Sequence, residues 1–376
     1  MDNSKGLVLF KNVSSQIKEN KNLREEGKDI CIPFPFKRFS SKIPGIIKGR
    51  YYITTANSKV GKTKFTDAMF MYGPYRFIKE NNTNISIKIL YFTLEMSKED
   101  KVKEALCYFL YIYKDIRISP DELDSYFKDN IVPDNIIKAM DELEGVMEDF
   151  LNDIIFIDYV RNPYGIYKTI RNYAHKNGHY EDISGNILNT KDIEKGLNEE
   201  AKKIFRYIPD NPDEFVICIF DHFSLLSSEN GENQHQAITN FSSDYCIKIR
   251  DRWKYIPVGV QQQAQSQEGV ENVSANMIRP SHNGLGDNKT TGRDCNMLLG
   301  LFAPVRFKKT EWEGYDIRRL KDSYRELSVI LNRNGPTVIT DLYFDGACNY
   351  FKELPPADEM TNTLYTQLEN RTIQIK

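Results

Sequence analysis

An α/β fold with a mainly parallel central sheet flanked by helices is the architecture the sequence predicts, and three observations predict it. Tyr51 to Phe65 (YYITTANSKVGKTKF) sets a β-branched and aromatic run, a small polar loop, Gly61-Lys62-Thr63 and a helical pattern in immediate succession. Apolar β-rich runs then alternate with helical stretches, the pattern of a parallel sheet covered on both faces. Carboxylates and amides follow several of these runs, where they would stand at the C-terminal ends of strands.

The stretch around Gly61 is the centre of this reading. Tyr51 to Thr55 reads as a short buried strand and Lys64 to Ile78 as a helix. A loop between such a strand and helix can wrap phosphates with successive backbone N–H groups, and the helix N-terminus adds partial positive charge. The cradle comprises Ala56, Asn57, Ser58, Lys59, Val60, Gly61, Lys62 and Thr63, with Ala56 at the position where the phosphate-loop pattern begins with Gly. Lys62 is placed to reach the β- and γ-phosphates of ATP, and the Thr63 hydroxyl to ligate Mg²⁺.

The 376 residues suffice for one large α/β domain with insertions or for two small ones. A hydrophobic share of 40% and a charged share of 28% are those of an ordinary globular protein. The net charge of −2 gives no global sign of a nucleic-acid partner, so any such surface would be a local patch or loop. Six cysteines without short paired spacing argue against a disulfide framework or a zinc knuckle. Five scattered histidines suggest no metal cluster beyond the nucleotide's Mg²⁺. No run reaches membrane-spanning length and none resembles a signal peptide, so the expected setting is cytoplasmic, with no membrane partner.

Along the chain, residues 1–42 read as a polar arm and linker, with Ile32 to Lys48 an extended, docked, proline-rich segment. Further strands are expected at Ile85–Leu94, Ile154–Asp158, Phe215–Phe220, Ile256–Val260, Met297–Phe302 and Leu327–Leu331. Helices are expected at Asp134–Leu151, Tyr164–Lys176, Lys191–Arg206 and Ala237–Lys254, and Ser97 opens another with a capping-box pattern. Val338 to Phe351, with Asp345-Gly346 in its middle, reads as a β-hairpin at the sheet edge. Residues 43–354 form the expected main domain, with an insertion at about 115–214. Residues 355–376 form a tail after Pro355-Pro356.

Four stretches carry the remaining chemistry. Glu95, between a strand end and a helix cap, is placed to activate an attacking water as general base. Asp221, directly after the uncharged run FVICIF, is the expected Mg²⁺-side carboxylate. Gln263 leaves the strand Ile256–Val260 at the end of three consecutive glutamines, where an amide could sense hydrolysis and pass the change to the loop beyond. Arg333, between a strand and Gly335-Pro336, could point its guanidinium into another subunit's site.

Taken in order, these elements resemble the RecA-like motor domain of the DnaB-type hexameric replicative helicases. The loop of that family also begins with Ala. Leu94-Glu95-Met96 is similar to its SLEM element, Asp221-His222-Phe223-Ser224-Leu225-Leu226 to its DYLQLI, and Pro257 to Gln263 to its PVIALSQL. Arg279-Pro280 with Gly292-Arg293-Asp294-Cys295-Asn296 resembles RP…EQDAD, and Arg333-Asn334-Gly335-Pro336 resembles KxRNGP. The resemblance covers roughly Ile43 to Phe351. Leu331 stands in place of the family's Lys, Asn296 in place of the second Asp of EQDAD, and Val338 where a Gly usually follows GPT. The family's separate N-terminal helical domain has no counterpart in this sequence.

The resemblance implies a P-loop ATPase of phage or plasmid type that uses ATP and Mg²⁺. It would assemble as a homo-oligomer, a hexameric ring, translocate on single-stranded DNA and unwind duplex during DNA replication in a bacterial or phage-infected cell. It makes Gln263 the sensor, Arg333 the arginine finger, and a primase or loader protein a further partner. Ser266 to Lys289, with Gly, Asn and Ser around Arg279 and Lys289, has the composition of a backbone-tracking DNA loop. A RecA-like recombinase, a single-stranded-DNA-binding accessory protein without unwinding activity, or an ATPase acting on protein partners would also satisfy these residues.

Overall fold

The computed structural model describes residues 3–371 apart from 127, 130, 183, 184, 189–205, 230, 275 and 276. Nine strands make the main sheet and are numbered here in chain order. They are β1 (Tyr52–Ala56), β2 (Ser86–Phe92), β3 (Ile154–Ile157), β4 (Glu214–Phe220) and β5 (Ile256–Gln262), then β6 (Met297–Phe302), β7 (Tyr324–Asn332), β8 (Ile339–Asp345) and β9 (Tyr350–Glu353). Their order across the sheet is β9-β8-β7-β6-β1-β5-β4-β2-β3. Strands β1 to β6 are parallel to one another, and β7, β8 and β9 form an antiparallel meander at one edge. The mainly parallel sheet and the C-terminal hairpin expected from the sequence are therefore present. β7, expected over Leu327–Leu331, is longer and runs antiparallel to β6.

Uniformly apolar strands follow from burial on both faces. Alternate residues of β4 divide between the two cores: Phe215, Ile217 and Ile219 pack on one side, Val216, Cys218 and Phe220 on the other. The first side is covered by the helical run from Lys62 to Glu80, which passes through a π-turn at Ala68–Tyr72, and by the helix Lys98–Lys114. Ser97 caps that second helix, accepting the Asp100 N–H at 3.1 Å. The proline-rich segment docks on the same side, with Phe34, Phe36, Phe39 and Ile43 in the core and Ile32 bridged to Ile46. A boundary at residue 42 would cut through it. The second side is covered by the helix Pro163–Lys176 and the helical run Gln234 to Trp253.

Two expectations change. The stretch Asp134–Leu151 is two helices, Asp134–Asp141 and Glu144–Asn152. The tail after Pro355-Pro356 is folded: the helix Asn362–Glu369 buries Tyr365 and Leu368 in a small core with Trp312 and Tyr315. The helix expected at Lys191–Arg206 lies outside the described residues up to 205, and Arg206 itself begins a strand, Arg206–Pro209.

Candidate functional site

The loop from Ala56 to Gly61 leaves the C-terminal end of β1, the strand at the middle of the sheet, where order reverses between β5 and β6. Gly61 adopts φ 97°, and a Cβ there would stand 3.2 Å from the Phe344 ring, so conformation and space both call for glycine. Lys59 is also left-handed, at φ 58°. The helix then starts at Lys62, directing its first N–H groups at the loop. Ser58 is half-buried and Lys59 exposed, whereas Asn57 and Val60 are buried.

Thr63 and Asp221, 158 positions apart, meet here: the Thr63 hydroxyl donates to Asp221 Oδ1 at 3.0 Å. Asp221 is fully buried, and its Oδ2 has no partner. Burial raises its pKa, opposed by Lys101 and the Thr63 bond. A buried carboxylate oxygen without a donor, beside a threonine hydroxyl, fits a hard cation such as Mg²⁺. Burial lowers the pKa of Lys62, while Glu95 and Asp221 act to keep its ammonium charged. Glu95 is exposed just beyond β2 and thus shares the field of Lys62 and Asp221.

Solved structures with this architecture include an ATPase domain and a replicative helicase. The ATPase domain superposes with a TM-score of 0.63 at 14% identity, over 91% of this chain and 98% of that one. The helicase, DnaB-like and described with its interactions with primase, superposes with a TM-score of 0.62 at 15% identity, over 92% of this chain and 71% of that one. The chain has the RecA-like fold of these two structures. No protein-family model matches it, and no curated protein sequence does.

The four other residues singled out in the sequence fall differently. Gln263 does not face Lys62. Its side chain is buried, donating to Thr55 Oγ1 at 3.0 Å and Ser281 O at 3.1 Å and accepting from Ser281 N at 3.1 Å. Gln262 is the glutamine beside the loop, accepting from Lys62 Nζ at 3.5 Å. The strand's period of two explains the change, since neighbours in a strand face opposite ways.

Arg279 is corrected as a DNA contact. Its guanidinium holds both oxygens of the fully buried Glu326 at 2.7 Å, also pairs with Glu313, and lies over Trp312 with its centre 4.7 Å from the ring centroid. Lys289 is exposed and has no ion pair among the described residues. The stretch that leads up to Lys289 is not a plain loop: Gln265–Glu268 and Val270–Ser274 are helical, and Leu285 bridges to Gln263.

Arg333 is exposed beyond β7, donating to Cys295 O at 2.9 Å and to Arg293 O. It lies at the opposite end of the sheet from the loop. Arg325, at the near end of the same strand, donates to Val60 O at 2.8 Å within the loop. The two arginines are eight positions apart, roughly 26 Å at about 3.3 Å per residue.

Three groups at the site had no role in the sequence reading. Arg325, almost wholly buried, lies over the Phe344 ring that backs Gly61. His222 follows Asp221 with φ 79° and is discussed below. Lys101, fully buried, joins Asp67 Oδ2 at 2.8 Å to Glu104 Oε2 at 3.2 Å and so links the helix Lys62–Asp67 to the helix after Glu95. Burial opposes the Lys101 charge, but Asp67, Glu104 and Asp221 together hold its pKa above the ordinary value. The spacing Lys101, Ala105, Tyr108 does place this lysine on an apolar helical stripe, the one signal of it in the sequence.

Proposed function

We propose that the chain is an ATP hydrolase whose turnover drives movement along single-stranded DNA and strand separation, working as a hexameric ring. The observation that carries the nucleotide site is Thr63 bonded to an Asp221 whose second carboxylate oxygen is buried without a partner, beside Lys62 at the phosphate loop. In this reading Thr63 and Asp221 hold Mg²⁺, Lys62 holds the β- and γ-phosphates, and Glu95 takes the proton of the attacking water. Magnesium-bound ATP supplies the phosphoryl group. Ala56 to Thr63 line its cradle.

Arg333 supports the oligomer. A guanidinium some 26 Å along a strand from the loop cannot reach the phosphates of its own subunit. As an arginine finger it would serve a neighbour's site, stabilising charge that develops on the transferring phosphoryl group. Lys289 is the surviving candidate for a DNA backbone contact on the segment after Gln263. The relative described with primase makes a primase a reasonable partner to test.

The test is steady-state ATPase with and without single-stranded DNA, beside strand displacement on a forked duplex. Turnover stimulated by DNA with displacement supports the motor. DNA-bound filaments without displacement would point to a recombinase instead.

A further inference from the structure

Three glutamines leave β5, and the alternation of the strand sends them to different partners. Gln261 and Gln263 face the segment 281–291. Gln261 donates to Gly286 O at 2.6 Å and Asn288 O at 2.7 Å and accepts from the Thr291 hydroxyl at 2.5 Å. Gln263 holds Ser281. Gln262 turns the other way, to Lys62.

His222 lies against the same amide. Gln262 is among the neighbours that act on its imidazole, and its Nδ1 is buried with no partner. The residue is only 8% exposed, and its backbone stands at φ 79°, ψ 98°, a region that side-chain-bearing residues rarely enter. An unsatisfied buried nitrogen and a strained backbone each cost free energy. Strain of this kind collects where a ligand is gripped.

We propose that Gln262 and His222, rather than Gln263, are the side chains that contact the terminal phosphate of a bound nucleoside triphosphate. The inference rests on the nucleotide reading above and names the residues that tell a triphosphate from a diphosphate. Gln262 is the partner that Lys62 meets in this arrangement. When Lys62 turns to the phosphates, Gln262 and the His222 imidazole are released towards the third phosphate. Its departure after hydrolysis returns Gln262 to Lys62. Gln261 and Gln263 flank Gln262 in one strand end, so its movement is transmitted to the segment 281–291 through hydrogen bonds already present. Neither residue takes part in a covalent step.

Equilibrium binding of ADP and of a non-hydrolysable ATP analogue, both with Mg²⁺, tests this on the full chain. Gln262→Ala and His222→Asn are each expected to weaken the analogue by about tenfold to a hundredfold, the scale of a lost hydrogen bond to a charged group, while ADP affinity stays within about twofold. Retained ADP binding also shows that each variant has folded. Gln263→Ala is expected to shift both nucleotides together. Equal losses for ADP and analogue in the first two variants, no loss in either, or analogue-selective loss confined to Gln263→Ala would each overturn the proposal. An unaltered chain that binds neither nucleotide would overturn the nucleotide reading itself, and this pair with it.

Discussion

Lys101→Met removes an ammonium that joins two helices of the site. After the change Glu104 keeps Lys64 Nζ at 3.5 Å, but Asp67 keeps only the Tyr91 hydroxyl, at 2.8 Å. Burial already raises the Asp67 pKa to about 6 against the pull of Lys101. Without that pull it should rise further, so the variant folds with Asp67 protonated to higher pH than the parent does. Taking an unfolded value of about 3.9 and about 1.36 kcal/mol per pH unit, a folded value of about 6 already costs the parent roughly 3 kcal/mol at pH 7, and Lys101→Met adds to it. Removing one member of a buried pair costs about 3–5 kcal/mol, and that is the loss expected for Lys101→Met.

The pH dependence follows from the same shift. An acid whose folded pKa exceeds its unfolded one takes up a proton on folding, so stability declines as pH rises between the two values. In the parent that decline runs from about 3.8 to about 6. In the variant it continues to higher pH, so between pH 6 and 7 the variant should lose up to about 1 kcal/mol more than the parent. Urea midpoints at the two pH values measure this. Adding Asp67→Leu should recover most of the loss, because it removes the stranded carboxyl. A cost for Lys101→Met below about 1 kcal/mol, or one independent of pH, would refute the buried pair.

Two more outcomes follow from the site. Glu95→Gln should bind Mg²⁺-ATP normally and hydrolyse it about 10²–10⁴-fold more slowly, because an amide cannot accept the proton of water; single-turnover kinetics with separate binding measurements will show it. Arg279→Met should lower stability by roughly 2–3 kcal/mol, through Glu326 left with only the Trp312 N–H, and leave the salt dependence of DNA binding unaltered. Lys289→Ala, by contrast, should flatten the salt dependence by about one unit of log–log slope.

Much of this architecture was legible because two-sided burial writes itself as uninterrupted apolar runs. FVICIF is one, and the Asp221 that ends it stands at the strand's C-terminal edge where a charge is useful. The phosphate loop was legible for a different reason: its glycine and its helix start are fixed by backbone geometry, as φ 97° at Gly61 shows. What the sequence hid were choices of face. Gln261, Gln262 and Gln263 are chemically alike, and only the register of β5 against β1, with Ala56 opposite Gln262, decides which one meets Lys62. Arg279 looked free because its partners, Glu313 and Glu326, lie 34 and 47 positions away on elements whose packing no local pattern announces. The direction of β7 was hidden likewise, since an apolar run carries no sign of whether its neighbour runs with or against it.

A catalytic site shared between two copies of the chain is the central claim to test. Arg333→Ala and Lys62→Ala should each abolish ATP turnover, the first through a finger that contributes about 10³–10⁵ in rate, the second through loss of the charge that holds the phosphates. Mixing the two variants under conditions of demonstrated subunit exchange is the direct measurement. Some interfaces would then pair an intact Lys62 with a neighbour's intact Arg333, and ATPase activity should partly return. Mixtures as inactive as either variant alone would contradict a finger supplied by a second subunit, and with it the proposed ring.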